Sequence, residues 1–188
     1  NISKKAEDLI NYGVDKVYVY DDPCLAVFRD DPYTDLLTEF VRKVKPNIFL
    51  IGATSIGRSL APRVATQLKT GLTADCTGLE IDPETGLLLQ TRPAFGGNVM
   101  ATIICPNNRP QMATVRYKVM KKAKKIPGYK GELIPMKFDP KKLRDRVKIK
   151  GFIEEEEARI SITEADIIVS GGKGLGSPEG FKLIKELA

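Results

Sequence analysis

The sequence predicts an α/β protein: a doubly wound parallel sheet with appended antiparallel hairpins, followed by the start of a second α/β domain. Before Gly71, amphipathic helices alternate with strands, which is typical of a doubly wound sheet. The run Asn47–Gly52 is almost entirely apolar, as expected for a parallel strand that is covered on both faces. After Gly71, short strands alternate with turn residues, which indicates antiparallel hairpins.

The spacing of apolar residues predicts three helices in the first part of the chain, over residues 1–12, 31–44 and 57–68. Gly13 ends the first of these helices, and a short strand follows at residues 17–20. Asp31 is the expected N-cap of the second helix and Pro32 its first helical residue, because both residue types are favoured at those positions.

The part of the chain after Gly71 is predicted to contain five short strands, over residues 74–81, 86–92, 99–105, 111–116 and 132–138. Turn residues separate the first strand from the second, and the run Pro106–Pro110 separates the third from the fourth. Each of these two pairs is therefore expected to form a hairpin.

The predicted domain organisation has three parts. Residues 1–150 form an α/β domain, residues 151–164 form an acidic crossover, and residues 165–188 form a strand, a glycine-rich turn and a helix. A single βα unit cannot bury its own apolar face, so the second domain is expected to continue beyond this sequence. The absence of an initiator Met predicts that the chain is cut from a longer one.

Composition excludes several kinds of chemistry. The chain has no His, so it supplies no imidazole base and no His ligand for a metal. Its three Cys form no CxxC pair, which argues against a metal site and fits a reducing compartment such as the cytoplasm. No apolar run is long enough for a membrane helix. We therefore expect no catalytic residue, no metal site and no membrane-spanning segment.

The net charge of +6 is unevenly distributed. Residues 116–150 contain fourteen Lys or Arg and three acidic residues, a balance of 14 − 3 = +11, which leaves 6 − 11 = −5 for the rest. Only three aromatic residues interrupt this basic segment, so the interleaved aromatics that stack on bases are missing and no nucleic acid is expected. A solvated face and a subunit contact both remain open.

The turn Gly52–Ser59 has the spacing of a phosphate-binding P-loop, with a strand before it and a helix after it. Arg58 stands where that motif has Lys, and an Arg does not replace a Lys that must reach the phosphates. One interpretation is an ATP-using α/β enzyme. The others are a plain tight turn between strand and helix, and a turn that contacts a partner chain.

A second glycine-rich turn, Gly171–Gly176, follows the predicted strand Ala165–Ser170. It departs from the dinucleotide motif G-x-G-x-x-G, because Ser177 occupies the place of the last glycine. Lys173 lies between glycines at the carboxyl end of a strand, where α/β proteins bind ligands. This pattern predicts contact with an anion or a cofactor.

Three sets of segments resemble the electron transfer flavoprotein alpha subunit, in its prokaryotic type. The first is Gly52–Ala65 and the last is Val169–Leu175. The middle set is the longest and most specific, and consists of Gly71–Leu79, Thr91–Asn98 and Arg109–Arg116. Together these segments extend the resemblance over essentially the whole chain.

The resemblance implies a heterodimer of alpha and beta subunits that carries electrons on FAD. The donor would be an acyl-CoA dehydrogenase or another flavin dehydrogenase, and the acceptor ferredoxin or a quinone oxidoreductase. The N-terminal domain would have an adenine nucleotide alpha hydrolase-like fold without a nucleotide. The beta subunit would hold AMP or, in electron-bifurcating members, a second FAD. The chain would be an electron carrier with no substrate chemistry of its own, in either a bifurcating or a non-bifurcating complex.

The resemblance also assigns the candidate FAD contacts to Lys173, Gly172, Gly174 and Leu175. The family usually has Arg where this chain has Lys173, so a single charged contact replaces a bidentate one. Most FAD contacts of the family would lie beyond this sequence, and so would the first strand and helix of its N-terminal domain. An extra N-terminal ferredoxin-like module remains an open alternative. The stretch Arg92–Asn98 is expected to contact the beta subunit or the flavin surroundings, unless it is only a tight turn.

Overall fold

The computed structural model describes residues 2–153, 165 and 167–188. Contacts divide the chain into two compact units, Asn1–Lys148 and Ile149–Ala188, and each unit is described by itself. The mixed α/β class predicted from the sequence is confirmed. Residues 154–164 of the predicted crossover lie outside the described residues.

The first unit contains helices and strands in an alternating order that later gives way to strands alone. Its helices are α1 (Ile2–Ile10), α2 (Asp30–Val44) and α3 (Ser55–Leu68). Its strands are β1 (Lys16–Val19), β2 (Ile48–Gly52), β3 (Leu72–Cys76), β4 (Gly78–Ile81), β5 (Leu88–Ala94), β6 (Val99–Ile103), β7 (Gln111–Val115) and β8 (Glu132–Pro135). Helix α4 (Phe181–Leu187) belongs to the second unit.

Three sheets arise from these strands. Strands β1 and β8 pair in parallel, and β7 lies between β2 and β3 in a second parallel sheet. Strands β4, β5 and β6 form an antiparallel sheet in that order. The described residues thus place the parallel strands in two separate sheets.

The predicted hairpin between residues 99–105 and 111–116 is wrong. Strand β6 pairs with β5 instead, and β7 enters the centre of the parallel sheet. Burial explains the difference, because four consecutive residues of β7 are buried, as in a strand covered on both faces. The turn residues at Pro106–Pro110 carry the chain from one sheet to the other.

Helix α3 covers the β2-β7-β3 sheet and forms the main core with it. The buried residues of this core are Leu60, Val64, Ala65 and Met112. The prediction that β2 is covered on both faces is wrong for the described residues, because Leu50 is 45% exposed. Strand β2 is an edge strand with β7 as its only neighbour in the described sheets.

The N-terminus of helix α2 lies two residues earlier than the predicted N-cap and first helical residue. Its N-cap is Arg29, and Pro32 is the third residue of the helix. Asp31 does not cap the helix, because its carboxylate accepts two hydrogen bonds from Arg146, at 2.7 and 2.9 Å. The predicted apolar face is present, with Leu36 and Val41 buried.

An apolar groove of about 950 Å³ lies between α1, β1 and α2. Ala6, Val17 and Leu36 are among the residues that line it. In the described part of the chain, β1 has β8 on one side and no strand on the other. This side of the first unit therefore leaves an open strand edge beside apolar side chains.

The second unit departs from its predicted strand. Residues 167–170 form no strand, and Ile167 is 86% exposed. A strand needs a neighbour for its backbone hydrogen bonds, and no described residue pairs with this segment. The predicted helix is confirmed as α4, which follows a short 3₁₀ turn at Pro178–Gly180.

Candidate cofactor-binding site

The glycine-rich segment of the second unit closes on itself as a tight turn. Lys173–Leu175 form a 3₁₀ turn, and Gly176 follows with a φ of +75°. The backbone N–H of Leu175 donates to the carbonyl of Gly172 at 3.0 Å, and that of Gly176 donates to the carbonyl of Lys173 at 3.1 Å. This turn therefore has a defined conformation built from its own backbone.

Two glycines beside the turn lie close to other residues of the same unit, Gly171 to side-chain atoms and Gly180 to a backbone oxygen. A Cβ on Gly171 would lie 2.3 Å from a methyl carbon of Leu175 and 3.1 Å from Ile184. A Cβ on Gly180 would lie 2.6 Å from the carbonyl oxygen of Leu175. Leu175 is half-buried and lies close to both of these glycines.

Gly172 and Gly174 have no such neighbours among the described residues of the unit, and neither has the positive φ that Gly176 has. A Cβ on Gly172 or on Gly174 would meet no described atom within 4 Å. Gly172 has a φ of −139°, which other residues also adopt. Lys173 lies between them and is exposed. The structure thus brings together Gly172, Lys173 and Gly174 as an open, cationic surface, and gives Leu175 a packing position beneath it.

The P-loop-like turn of the first unit has a different arrangement. Thr54 caps α3 by accepting the backbone N–H of Gly57 at 3.1 Å. A Cβ on Gly57 would lie 1.9 Å from the carbonyl oxygen of Gly52, so this glycine is required for the helix to approach the strand. The guanidinium of Arg58 donates to the carbonyl of Ala53 at 3.0 Å and to Asp75 at 2.9 Å. This geometry favours a tight turn between strand and helix over a phosphate loop.

Asp75 joins two arginines at the carboxyl end of the parallel sheet. Its carboxylate accepts hydrogen bonds from Arg58 at 2.9 Å and from Arg116 at 2.6 Å. Its backbone has a φ of +61°, and its N–H donates to the side-chain oxygen of Thr114 at 2.8 Å. The Arg116 hydrogen bond is the main cause that lowers the pKa of this carboxyl below its ordinary value, and partial burial opposes it. Arg58 adds its charge to the same effect.

Sequence reasoning missed Asp75. The available signal was weak, since Asp is one of the few residues other than Gly that adopts the left-handed region. The predicted strand 74–81 is divided at this point into β3 and β4. Asp75 lies just before that division, where the pairing of β3 with β7 is irregular.

Part of the basic segment is used within the first unit. Arg144 binds Asp35 and Arg146 binds Asp31 through two-pronged contacts, while Asp145 pairs with Arg29. These three pairs fasten the segment after β8 to α2 and to the residue before it. Hydrogen bonds from Arg144 and Arg146 are also the first causes that lower the pKa of Asp35 and of Asp31, respectively.

The stretch Arg92–Asn98 consists of the last three residues of β5 and the turn that connects β5 to β6. Phe95, Gly96 and Gly97 follow one another with φ values of +48°, +69° and +94°. A Cβ on either glycine would meet nothing within 4 Å, so the two glycines serve the backbone conformation and not a close approach within the described chain. Phe95 is 85% exposed at the tip of this turn.

No helix among residues 2–153 and 167–188 is long and apolar enough to cross a membrane. The same residues contain no group of three or more acidic, Cys or His side chains that could hold a metal ion.

The parallel β2-β7-β3 sheet with helix α3 packed on it, together with the antiparallel β4-β5-β6 sheet, places the chain in the mixed α/β class. More particularly, it belongs to the electron transfer flavoprotein domain family, whose model matches residues 2–140. The resemblance found in the sequence is thereby confirmed.

Relatives in several bacteria match the whole chain. It is 52% identical over 188 residues to the electron transfer flavoprotein subunit alpha of Thermoanaerobacterium thermosaccharolyticum, and covers 57% of that protein. It is 47% identical over 190 residues to the subunit of the same name from Megasphaera elsdenii, of which it covers 56%. It is 46% identical over 188 residues to the LctC subunit of a lactate dehydrogenase (NAD(+),ferredoxin) from Acetobacterium woodii, of which it covers 44%. The chain therefore spans about half the length of these relatives.

Proposed function

We propose that the chain is part of the alpha subunit of an electron transfer flavoprotein, which carries electrons on FAD between a flavin dehydrogenase and an acceptor. Family membership and the names of the relatives support this function. It requires a beta subunit, which holds AMP or a second FAD. The geometry of Gly52–Ser59 weighs against the alternative of an ATP-using enzyme, since Arg58 is already bound to Asp75.

The two parts of the chain have different roles in this proposal. Residues 1–150 make up most of the N-terminal domain, residues 151–164 cross over, and residues 165–188 open the FAD-binding domain. The open edge of β1 and the apolar groove beside it support a further strand at that side of the N-terminal domain. The exposed Ile167 and Ile168 support further elements around the second unit.

The observation that carries the FAD assignment is the open surface at Gly172, Lys173 and Gly174. Nothing in the described chain requires glycine at positions 172 and 174, whereas a ligand that approaches the backbone closely does. The space where a Cβ would stand is free on both sides of an exposed cation. The three residues therefore fit the close approach of an anionic cofactor.

FAD, when bound, supplies the chemistry of accepting and releasing electrons. Lys173 contributes a positive charge, which pairs with the pyrophosphate or, nearer the ring, favours an anionic reduced flavin. Gly172 and Gly174 let the backbone approach the cofactor. Leu175 has an indirect role, because its side chain lies against Gly171 and Gly180 on either side of the turn.

The donor and the acceptor are less sharply defined. An acyl-CoA dehydrogenase is the proposed type of donor, and ferredoxin or a quinone oxidoreductase the proposed acceptor. One relative is named as a subunit of a lactate dehydrogenase that uses NAD(+) and ferredoxin, and that name supports a bifurcating form. The relatives named simply as alpha subunits fit either form.

The proposed function is tested with the full-length protein purified together with its companion subunit. Its absorption spectrum should show bound flavin, and a colourless complex without nucleotide would contradict the proposal. In the same complex, Lys173→Ala should weaken FAD binding by about ten- to a hundredfold, the value of a charge-assisted hydrogen bond. Lys182→Ala is the matched control, since it removes an exposed Lys from α4 of the same unit.

A further inference from the structure

A cleft of about 460 Å³ lies at the end of the β2-β7-β3 sheet where its parallel strands begin. Its volume is within the range of small-molecule sites. Pro46 and Pro110, which shortly precede β2 and β7, line one part of it, and Leu68 at the end of α3 lines another. All lining residues belong to the first unit. The cleft is therefore at the opposite end of the sheet from the turn Gly52–Ser59.

Four positive side chains line this cleft, and none of its lining residues is acidic. They come from the end of α2, the end of α3 and the turn before β7, and are Arg42, Lys45, Lys69 and Arg109. Residues 40–74 and 85–131 contain no Asp or Glu, so each of these parts of the chain lies in a stretch without acidic residues. The charge of +4 is therefore not balanced by carboxylates that line the cleft.

The arginines of the cleft differ from most others in the described residues. Six of the nine described arginines pair with an Asp carboxylate, whereas Arg42 and Arg109 do not. Arg42 donates to the carbonyl of Gln67 at 3.1 Å, and one nitrogen of Arg109 donates to carbonyls of its own turn. The other two nitrogens of each guanidinium have no partner in the described chain, and neither have the ammonium groups of Lys45 and Lys69. Four cations are thus available to a ligand.

The ends of the two helices account for only part of this charge. A helix C-terminus is equivalent to about −0.5 elementary charge, so the ends of α2 and α3 together offset about one of the four cations. Backbone groups already occupy some of the carbonyls there, since the N–H of Lys45 donates to Val41 at 2.8 Å and that of Lys69 donates to Thr66 at 3.2 Å. An excess of about three positive charges remains in the cleft.

Both lysines occupy a backbone position that favours glycine. Lys45 has a φ of +50° and Lys69 a φ of +55°, and each directly follows the last residue of its helix. Glycine is the usual residue at this position, because a side chain is strained in the left-handed region. A Lys at both helix ends keeps a cation where glycine fits the backbone better. That choice is expected if the cleft requires both charges.

Hydrogen bonds hold the walls of the cleft in place. The contact from Arg42 to the carbonyl of Gln67 joins the end of α2 to the end of α3. The hydroxyl of Thr70 donates to the carbonyl of Pro110 at 2.9 Å, which joins the end of α3 to the turn before β7. The three parts of the chain that supply the cations are therefore linked without a ligand. A site that is formed in advance loses less conformational entropy when a ligand binds.

We propose that this cleft binds a phosphate chain of two or more linked phosphate groups. Guanidinium groups match the geometry of phosphate oxygens and Lys supplies point charges, so cations from three sides suit several linked negative groups. The concave shape favours a small ligand over an acidic protein surface. The ligand is either a free diphosphate or a nucleoside diphosphate, whose uncharged part would lie against Leu68, Pro46 and Pro110. This site is separate from the proposed FAD contacts, which belong to the other unit.

The test uses the full-length protein with its companion subunit and bound FAD, titrated in a calorimeter with pyrophosphate and with ADP at about 0.15 M salt. The wild type should bind pyrophosphate. Lys45→Asn and Lys69→Asn should each weaken this binding about tenfold, the value of one charge-assisted hydrogen bond. Both variants should stay folded, because Asn tolerates the left-handed backbone at the end of a helix.

Lys118→Asn is the matched control, because Lys118 is a third lysine with a left-handed backbone, at a φ of +59°, and does not line the cleft. It should leave pyrophosphate binding unchanged. Tighter binding of ADP than of pyrophosphate identifies a nucleotide as the ligand, and equal or weaker binding of ADP identifies the phosphate chain alone. The inference is overturned if the wild type binds neither compound at this salt concentration, or if folded Lys45→Asn and Lys69→Asn proteins bind pyrophosphate as tightly as the control. The flavin spectrum of the same samples tests the proposed function separately.

Discussion

The two glycine-rich turns of the molecule resemble each other in sequence but differ in how their residues are used. At Gly52–Ser59, Gly57 is required for α3 to approach β2, and Arg58 is bound to Asp75. At Gly171–Gly176, positions 172 and 174 are open, and Lys173 has no carboxylate partner among the described residues. A glycine that is needed for packing within the chain gives no evidence for a ligand site. A glycine beside a cation that no packing within the described chain requires does indicate a ligand site.

The largest expected effect concerns the turn of the first unit. Gly57→Ala should lower the free energy of unfolding by at least about 2 kcal/mol, because the added Cβ overlaps the backbone carbonyl of Gly52. Gly172→Ala, the matched change in the other turn, should alter it by less than about 0.5 kcal/mol. Urea unfolding of the flavin-free subunit pair measures both. Equal effects of the two changes would remove the distinction between the turns.

Much of the fold was predictable because local patterns and final contacts agree. Helices α2 and α3 and strand β2 follow directly from apolar spacing and from the residues that bound them. The neighbours of strand β7 in the sheet could not be predicted correctly from the sequence, because the turn residues at Pro106–Pro110 favour a local hairpin with the preceding strand. Because Gln111 and Thr114 are polar, the sequence pattern does not show that four of the five residues of this strand are buried at the centre of a sheet. Pairing over long distances depends on burial, which the local pattern does not contain.

The candidate site was predictable only in part. The sequence shows a cation between glycines. It does not show at which of these glycines a side chain would meet no other atom, because that depends on how Leu175 lies against Gly171 and Gly180. The role of Asp75 was also hidden, because its two arginine partners lie 17 and 41 residues away along the chain. Contacts between distant residues decide whether Arg58 is available to a ligand.

A smaller effect is expected from Asp75→Asn, which tests whether Arg58 is held internally. The pKa of Asp75 is lowered in the folded protein, so its stabilising contribution is complete above its unfolded pKa of about 3.9 and is lost as the pH falls through the folded value. At pH 7 the variant should be less stable by about 1 kcal/mol, a modest value because both arginines are substantially exposed. Asn tolerates the left-handed backbone at this position.

The free energy of unfolding, measured between pH 7 and pH 3, shows whether the stabilising contribution of Asp75 falls with pH as expected. The difference in stability between wild type and Asp75→Asn should shrink as the pH falls below about 4. Glu80→Gln, at an exposed position on β4, is the control and should show no such convergence. A difference that stays constant with pH would mean that the carboxylate charge of Asp75 does not hold the arginines.

The most direct test of the cofactor site is the FAD dissociation constant of Gly172→Val in the full-length protein with its companion subunit. The side chain would enter space that no described residue occupies, so folding should be unaffected. FAD binding should weaken at least as much as in Lys173→Ala, by more than about tenfold, because the side chain blocks the approach of the cofactor itself. A Gly172→Val protein that binds FAD as tightly as the wild type would show that this turn is not part of the cofactor site.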